Sequence, residues 1–466
     1  MTSRTAVLVV IILAALALRL FFLLLTRDIT PIHDEAVYVR MAKEVLESGD
    51  FRARWLWPPG QAYFMAGIFS IFGVSILAVK VAQTVLSAFT VYLLYLICRQ
   101  TFGNERTALL AGALAAVYPN LIAFSHYLWS ETLFIFLFLA FIYLLLRSTT
   151  SWKYRLLTAS GVFFALGCLT RPVLLSAFAV VLVYLWTRFR ARRRVLILSV
   201  VVFTATAGAV MTPWLVRTVG TYGGWIGIAP SSQHLWRGNS GIFEEAEQES
   251  DFSRDKYNQS GSRVLERDRY ALRKGIENIR SEQPYWILKK GIVYLQSWAY
   301  QRSFVLRHMK LGLYGDIPQS TRSLLVGYIH FAYLAVMLAA ILGLCWTGYR
   351  PEKKFMIGLI VVFSAVYIVT ISRNARLRLP LEAILIMFSA EGFLLVGRLV
   401  RWTRDRGWRS RGLDPSLSEM STMGRPALPP ARGRVPLRAA LYCILTGIFI
   451  YVCSTDMSRV VRGLFR

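Results

Sequence analysis

Charge is scarce in this chain. Of 466 residues only 17% are Asp, Glu, Lys or Arg, while 55% are hydrophobic and the mean hydropathy is +0.47. A soluble chain of this length would divide into roughly three domains of ~150 residues, with about a quarter of its residues charged. That class is excluded. Strict alternation of apolar and polar residues is also missing, which excludes a transmembrane barrel built from segments of about ten alternating residues. Cysteine is rare as well: Cys98, Cys168, Cys345, Cys443 and Cys453 all lie in or beside apolar runs, with no C-x-x-C pair. Buried, inert thiols are expected there, and neither a disulfide framework nor a thiolate metal site. No internal repeat is visible.

What is present is apolar sequence in blocks. Residues 195–216 and 323–349 carry no charge, 107–146 carry only Glu131, and 156–187 carry only Arg171. A helix crossing a bilayer needs about 20 such residues. The fold class expected is an all-α polytopic membrane protein with about eleven transmembrane helices. They fall near 5–26, 75–98, 106–123, 130–146, 156–170, 173–187, 195–215, 323–346, 355–372, 381–397 and 437–455. The first run, Thr5 to Thr26, is long for a signal h-region and no A-x-A site follows, so it is expected to remain as a span.

The net charge of +28 would suggest nucleic acid in a soluble protein. Here the cations sit mostly in short loops, where Lys and Arg set orientation, and no nucleic-acid partner is expected. The 188–194 loop has five Arg, 347–354 has Arg350, Lys353 and Lys354, and 398–438 has ten Arg. All three fall on one side if the amino terminus is cytoplasmic. The opposite side then receives 27–74, the 119–129 turn, Thr170-Arg171-Pro172, the long 217–322 segment and the 373–380 turn. The organisation expected is an amino-terminal transmembrane module at 1–216, with a first external loop at 27–74 carrying short juxtamembrane helices. A partly folded external region follows at 217–322, then spans at 323–397. A basic linker at 398–438, suited to anionic lipid, leads to a last span and tail at 439–466.

The external side holds the chemistry. Pro31-Ile32-His33-Asp34-Glu35-Ala36-Val37-Tyr38 follows the first span, and Asp34 and Glu35 would lie in the first turn of a short helix, where ionised carboxylates are favoured. They are either a charge cap or functional acids at an apolar surface. Glu131 opens a span otherwise free of charge, a position that is a functional candidate by default; a simple cap is the alternative. His126 and Tyr127 are expected to be interfacial anchors. His33, His126, Asp34 and Glu131 lack ligand spacing on one helix, so no metal site is expected. Arg171, Arg376 and Arg378 are cations on the side that disfavours them, and a guanidinium matches phosphate in a bidentate fork; lipid headgroup contact is the bland reading. Two carboxylates and several arginines facing one cavity suit group transfer from a lipid phosphate. The carboxylate takes the acceptor's proton and the arginines stabilise the departing phosphate. A transporter or lipid flippase would use the same charges as a substrate path, but usually shows repeated halves, which are absent here.

Taken in order, these motifs resemble the GT-C class of membrane glycosyltransferases, particularly the protein O-mannosyltransferases and the lipid A aminoarabinose transferases (glycosyltransferase family 39-like). The resemblance runs over roughly residues 1–400. It rests on His33-Asp34-Glu35-Ala36-x-Tyr38, Trp57-Pro58-Pro59-Gly60, Ser130-Glu131-Thr132-Leu133-Phe134 and Leu169-Thr170-Arg171-Pro172. It continues through Thr212-Pro213-Trp214-x-x-Arg217, Gly238-Asn239 and Arg376-Leu377-Arg378-Leu379-Pro380. It implies a polyprenyl-phosphate sugar donor, a glycan, lipid or protein acceptor outside the cytoplasm, a cell-membrane location and no cofactor. Asp34 maps onto the family's catalytic base and Glu131 onto its second acid; Asp34, Glu35 and Glu131 are the catalytic candidates. His33, Tyr38, Arg171, Arg376 and Arg378 are the substrate-binding candidates. The aminoarabinose transferases carry an acid and a lysine before Pro-Pro, where this chain has Leu56 and Trp57. Their phosphate contact must then come from elsewhere, with Arg52, Arg54 or Arg171 available.

Overall fold

The computed structural model describes residues 3–32, 34–51, 57–239, 262–299, 309, 318–346, 348, 350–370, 375–409 and 435–454. Among these residues the chain is all helical. In order the helices are α1 (Ser3–Thr26), α2 (Asp34–Ser48), α3 (Gly60–Phe72), α4 (Ile76–Phe102), α5 (Glu105–Val117), α6 (Pro119–Ala123), α7 (Glu131–Ser151), α8 (Tyr154–Thr170), α9 (Ala177–Phe189) and α10 (Arg193–Tyr222). They continue with α11 (Ser232–Asn239), α12 (Ser262–Ser281), α13 (Trp286–Ser297), α14 (Gln319–Trp346), α15 (Pro351–Thr370), α16 (Leu379–Arg409) and α17 (Val435–Ser454). Single turns at Pro172–Ser176 and Ala375–Arg378 complete the set.

Nine of the described helices are long and apolar enough to cross a membrane. Two of the eleven expected spans fall short of that length. Tyr154–Thr170 has 17 residues, ending where Arg171 and Pro172 turn the chain. The expected 106–123 span is divided: Pro119 forces Tyr118 into extended backbone, so α5 stops at Val117 and the five-residue α6 starts afresh. The segment after α1 does carry two short helices, α2 and α3, packed on each other through Tyr38, Met41, Val45, Met65 and Phe69.

Local chemistry sets the boundaries. Ser75 caps α4 by accepting the Ala78 N–H at 3.2 Å, and Gly103 closes it with φ +68°, a conformation glycine adopts without cost. Asn104 then caps α5 through the Arg106 N–H. At the centre α7 buries Phe134, Phe138, Phe141 and Leu145 completely. Phe138 packs on Phe363 of α15, and Phe141 on Phe164 of α8. Elsewhere α14 and α16 meet backbone to backbone: a Cβ on Gly343 would strike the Phe388 carbonyl, and one on Gly392 the Ala339 carbonyl. Small residues at such crossings are how helices gain contact where lipid offers no hydrophobic drive. All five cysteines are free, as expected, but only four are buried; Cys443 is exposed on α17, whose Leu437, Ile444 and Ile450 are exposed too.

The buried cations Arg19 and Lys80 are held by main-chain carbonyls and do a structural job. The Arg19 guanidinium, inside α1, donates to Ser87 Oγ at 2.7 Å and to the Ala115 and Ala116 carbonyls at the end of α5. Lys80 Nζ of α4 donates to the Thr26 carbonyl at 2.7 Å and to the Arg27 carbonyl at 3.3 Å, closing the end of α1. Each cation meets the negative end of a helix and satisfies carbonyls the helix itself leaves open.

Candidate active site

The site is assembled around a loop held by its backbone. Residues 124–130 link α6 to α7, and four side chains grip main-chain atoms in or beside them. Glu35 accepts the Leu128 N–H at 2.8 Å, while Gln61 donates to the Leu128 carbonyl at 3.1 Å. Gln83 donates to the Tyr127 carbonyl at 2.9 Å and Thr132 to the Phe124 carbonyl at 2.8 Å. Beside Gln61, Gly60 lies so close to Thr170 that a Cβ would collide with its hydroxyl. The Trp57-Pro58-Pro59-Gly60 and Leu169-Thr170-Arg171-Pro172 motifs are therefore one packed unit, which delivers Arg171 to the start of α7.

There, four of the expected residues meet. Glu131 is fully buried, and its carboxylate takes the Arg376 Nε–H on one oxygen and the Arg376 Nη2–H on the other at 3.1 Å. Arg171 Nη1 stands 2.7 Å from the same carboxylate. The Arg376 Nη1–H donates to Asp34 at 2.6 Å, and the guanidinium carbon sits over Trp129, 4.2 Å from the ring centroid. Asp34 differs from the rest. Its side chain is 37% exposed, against 0% for Glu131 and 13% for Arg376. Two carboxylates and two guanidiniums thus form a cluster with no net charge, open at Asp34.

Tyr38 stands beside it, buried, with Arg376, Ser130, Glu131 and Arg171 as electrostatic neighbours. Burial pushes its phenol above the usual range, so it stays neutral and keeps its O–H. His33 lies outside the described residues, as do Arg52, Arg54 and Leu56. His126 is buried against Phe22, and burial together with Lys80 and Arg19 pulls it down to about 3, so it is a neutral ring.

Two of the candidates are engaged by other partners. Glu35, a catalytic candidate, is held by backbone amides: one oxygen takes the Leu128 N–H and the other the Ile32 N–H at 3.3 Å. Burial raises its carboxyl, and the two amides hold it down in part. Asp34 and Glu35 are neighbours on one helix, about 100° apart in azimuth, so only one of them can turn to the cluster. Glu35→Gln, which keeps an acceptor for the Leu128 N–H, should leave activity within a few-fold of wild type, while Glu35→Ala should cost about 1–3 kcal/mol of stability by orphaning a buried amide. A thermal melt of the detergent-solubilised protein beside a transfer assay would separate the two.

Arg378, a phosphate-binding candidate, is also engaged elsewhere. It is buried, donates to Glu382 at 2.6 Å and to the Ser297 carbonyl at 2.6 Å, and lies over Tyr333. Glu382 in turn takes a hydrogen bond from Asn120 at 2.8 Å. The single turn at 375–378 sends Arg376 and Arg378 to different partners: the first to the cluster, the second to tie α13 and α6 to α16.

The remaining motifs are ties as well. Arg217 donates to Asp50 and to the Phe51 carbonyl, both at 2.7 Å, with Trp214 stacked on its guanidinium at 4.7 Å. That fastens the end of α10 to the loop after α2. Asn239 donates to the Val369 carbonyl at 2.9 Å and accepts the Trp286 indole N–H at 2.8 Å, and Lys290 donates to the Gly238 carbonyl. Helices α11 and α13 are thereby latched to α15 a few residues before Arg376.

Residues 57–216 match the family model of dolichyl-phosphate-mannose-protein mannosyltransferases. The match takes in the Pro-Pro-Gly, Ser-Glu, Thr-Arg-Pro and Thr212-Pro213-Trp214 motifs, stops one residue before Arg217, and is shorter than the 1–400 expected from the motifs. Among solved structures, the oligosaccharyltransferase AglB from Archaeoglobus fulgidus, in complex with an inhibitory peptide and a dolichol-phosphate, superposes with a TM-score of 0.52 at 16% identity, covering 97% of this chain and 55% of that one. Its apo form gives 0.53 at 14% identity, covering 96% and 55%. The chain has a GT-C-like fold. This GT-C-like chain spans about half the length of the oligosaccharyltransferase it matches. ArnT from Cupriavidus metallidurans, bound to undecaprenyl phosphate, aligns more loosely, with a TM-score of 0.40 at 14% identity over 88% of this chain and 81% of that one. No curated protein sequence matches.

Proposed function

We propose that this protein is a membrane glycosyltransferase, moving a sugar from a polyprenyl-phosphate donor to a hydroxyl or phosphate of a glycan, lipid or protein acceptor at the extracytoplasmic face of the cell membrane. The observation that carries the reading is the half-exposed Asp34 carboxylate at the mouth of a buried cluster of two arginines and Glu131. Asp34 takes the proton as the acceptor oxygen bonds to the anomeric carbon. The bond from that carbon to the phosphate oxygen breaks, and the phosphate leaves with the electron pair. Arg376 and Arg171 stand where that charge grows, and a guanidinium fork held in advance stabilises it without reorganisation. Glu131 is the counter-ion that keeps two cations together in an apolar setting. Tyr38 supplies a neutral O–H at the same place. The dolichol-phosphate bound by the AglB neighbour is a carrier of the proposed class.

The direct test is transfer by the purified protein from defined polyprenyl-phosphate sugars, followed by release of the lipid phosphate. Loss of donor sugar with no matching transfer would count against it, as would inertness toward every donor of the class. The sidedness is tested separately. In a cysteine-free background, single cysteines at Ser48 and Ser231 should react with an impermeant maleimide on intact cells, and one at Ser416 only after lysis. The reverse pattern would put Asp34 among cytoplasmic nucleotide sugars and remove the reason for a lipid-linked donor.

A further inference from the structure

We infer that the membrane face opposite the Asp34 cluster carries a binding site for the phosphate headgroup of an anionic phospholipid, in a cleft between the ends of α7, α8, α9 and α10. From Glu131 to Thr149 is 18 residues of one helix, a rise of about 27 Å, so the cleft lies at the far boundary of the apolar layer. It is a shallow cleft open to solvent, lined by Thr149, Trp152, Lys153, Tyr154, Phe189 and Ser199 together with the apolar Leu157 and Leu185. The Thr149 hydroxyl is shared with Tyr184 at 3.0 Å, which fixes the floor.

Three observations point to a phosphate-bearing lipid. The setting is basic: Lys153 lines the cleft, Arg190, Arg192, Arg193 and Arg194 are exposed in the segment between its lining residues Phe189 and Val195, and among the described residues Arg188 is the one member of the 188–194 loop paired with a carboxylate, Glu352 at 3.5 Å. The cations are oriented rather than splayed, since the Arg192 guanidinium lies 4.2 Å over the Trp152 ring, and Trp152 meets Phe189 edge-on at 5.5 Å. An orientation signal needs positive charge but no fixed geometry. Finally, Trp152 holds φ at +55°, the one non-glycine residue with positive φ among those described. This is the left-handed cap that ends α7, so the helix terminus itself sets the backbone that carries the Trp152 ring under Arg192. A cationic setting beside apolar lining residues fits a headgroup whose acyl chains continue along the helices, and stacked guanidinium matches phosphate oxygens.

The experiment uses full-length protein in detergent micelles, with bound lipid counted by native mass spectrometry. Dioleoyl phosphatidylglycerol should bind in preference to dioleoyl phosphatidylcholine. The K153Q/R192Q variant should weaken that binding on the order of tenfold, the loss of charged hydrogen bonds. The R350Q/K354Q variant, which removes equal charge from the same face outside the cleft, should not. W152G offers a second test, because glycine accepts the +55° backbone and the protein stays folded; it should lose the preference for phosphatidylglycerol through loss of the ring that orients Arg192. Equal losses in the two charge variants, or none in either, would overturn the site. So would glycerol phosphate alone binding as tightly as the intact lipid, since the ligand would then be a soluble phosphate.

Discussion

Asp34→Asn should abolish sugar transfer, by about 10²–10⁴-fold, while the protein folds and inserts normally. A carboxamide keeps the shape of the side chain and can still accept the Arg376 N–H seen at 2.6 Å, but it cannot take a proton from an acceptor hydroxyl, which is what a placed general base contributes. Because Asp34 is partly exposed and outside the buried part of the cluster, little stability rides on it. Transfer rate and thermal midpoint, measured on one preparation, give the result: rate lost and midpoint kept. Wild-type rate in this variant would remove Asp34 as the base.

Glu131→Gln should have the opposite signature, a loss of about 3–5 kcal/mol in stability, typical of a buried ion pair deprived of one partner. Glu131 is fully buried and neutralises Arg171 and Arg376 together; without it two guanidiniums face each other in an apolar setting. Adding Arg171→Gln to Glu131→Gln should recover part of the loss, since it removes one of the stranded cations. That non-additivity is the diagnostic quantity, because neighbouring groups in one network do not act independently. Additive losses would mean the pairing contributes nothing.

The charges of the cluster were legible in the sequence for a physical reason. A lone Glu131 or Arg171 in some thirty apolar residues is costly unless it has a partner, so each announced itself. Which charges pair with which was not legible. Asp34 and Glu35 are adjacent acids with identical composition-level signals, and their roles part only through helix azimuth. Arg376 and Arg378 share a tripeptide, yet a single turn sends one to Glu131 and the other to Glu382. Arg19 and Lys80 show the limit most plainly. Their partners are carbonyls at the ends of other helices, and no local pattern encodes a carbonyl almost 100 residues away. The helices themselves were read from apolar runs with little error, except where Pro119 breaks one, because length and hydropathy are local properties.

The grip on the 124–130 loop has a consequence for how such a site could change over time. Glu35, Gln61, Gln83 and Thr132 all hold peptide groups, through bonds that any residue at Tyr127, and any but proline at Leu128, would offer equally. The path of the chain is thereby uncoupled from the identity of its side chains. Substitutions in this loop can recontour its surface while Glu131 and the two arginines stay in register. Under the proposed function, a lineage descended from this scaffold is therefore free to trade one acceptor for another by drift at a few loop positions, with the charged cluster held constant.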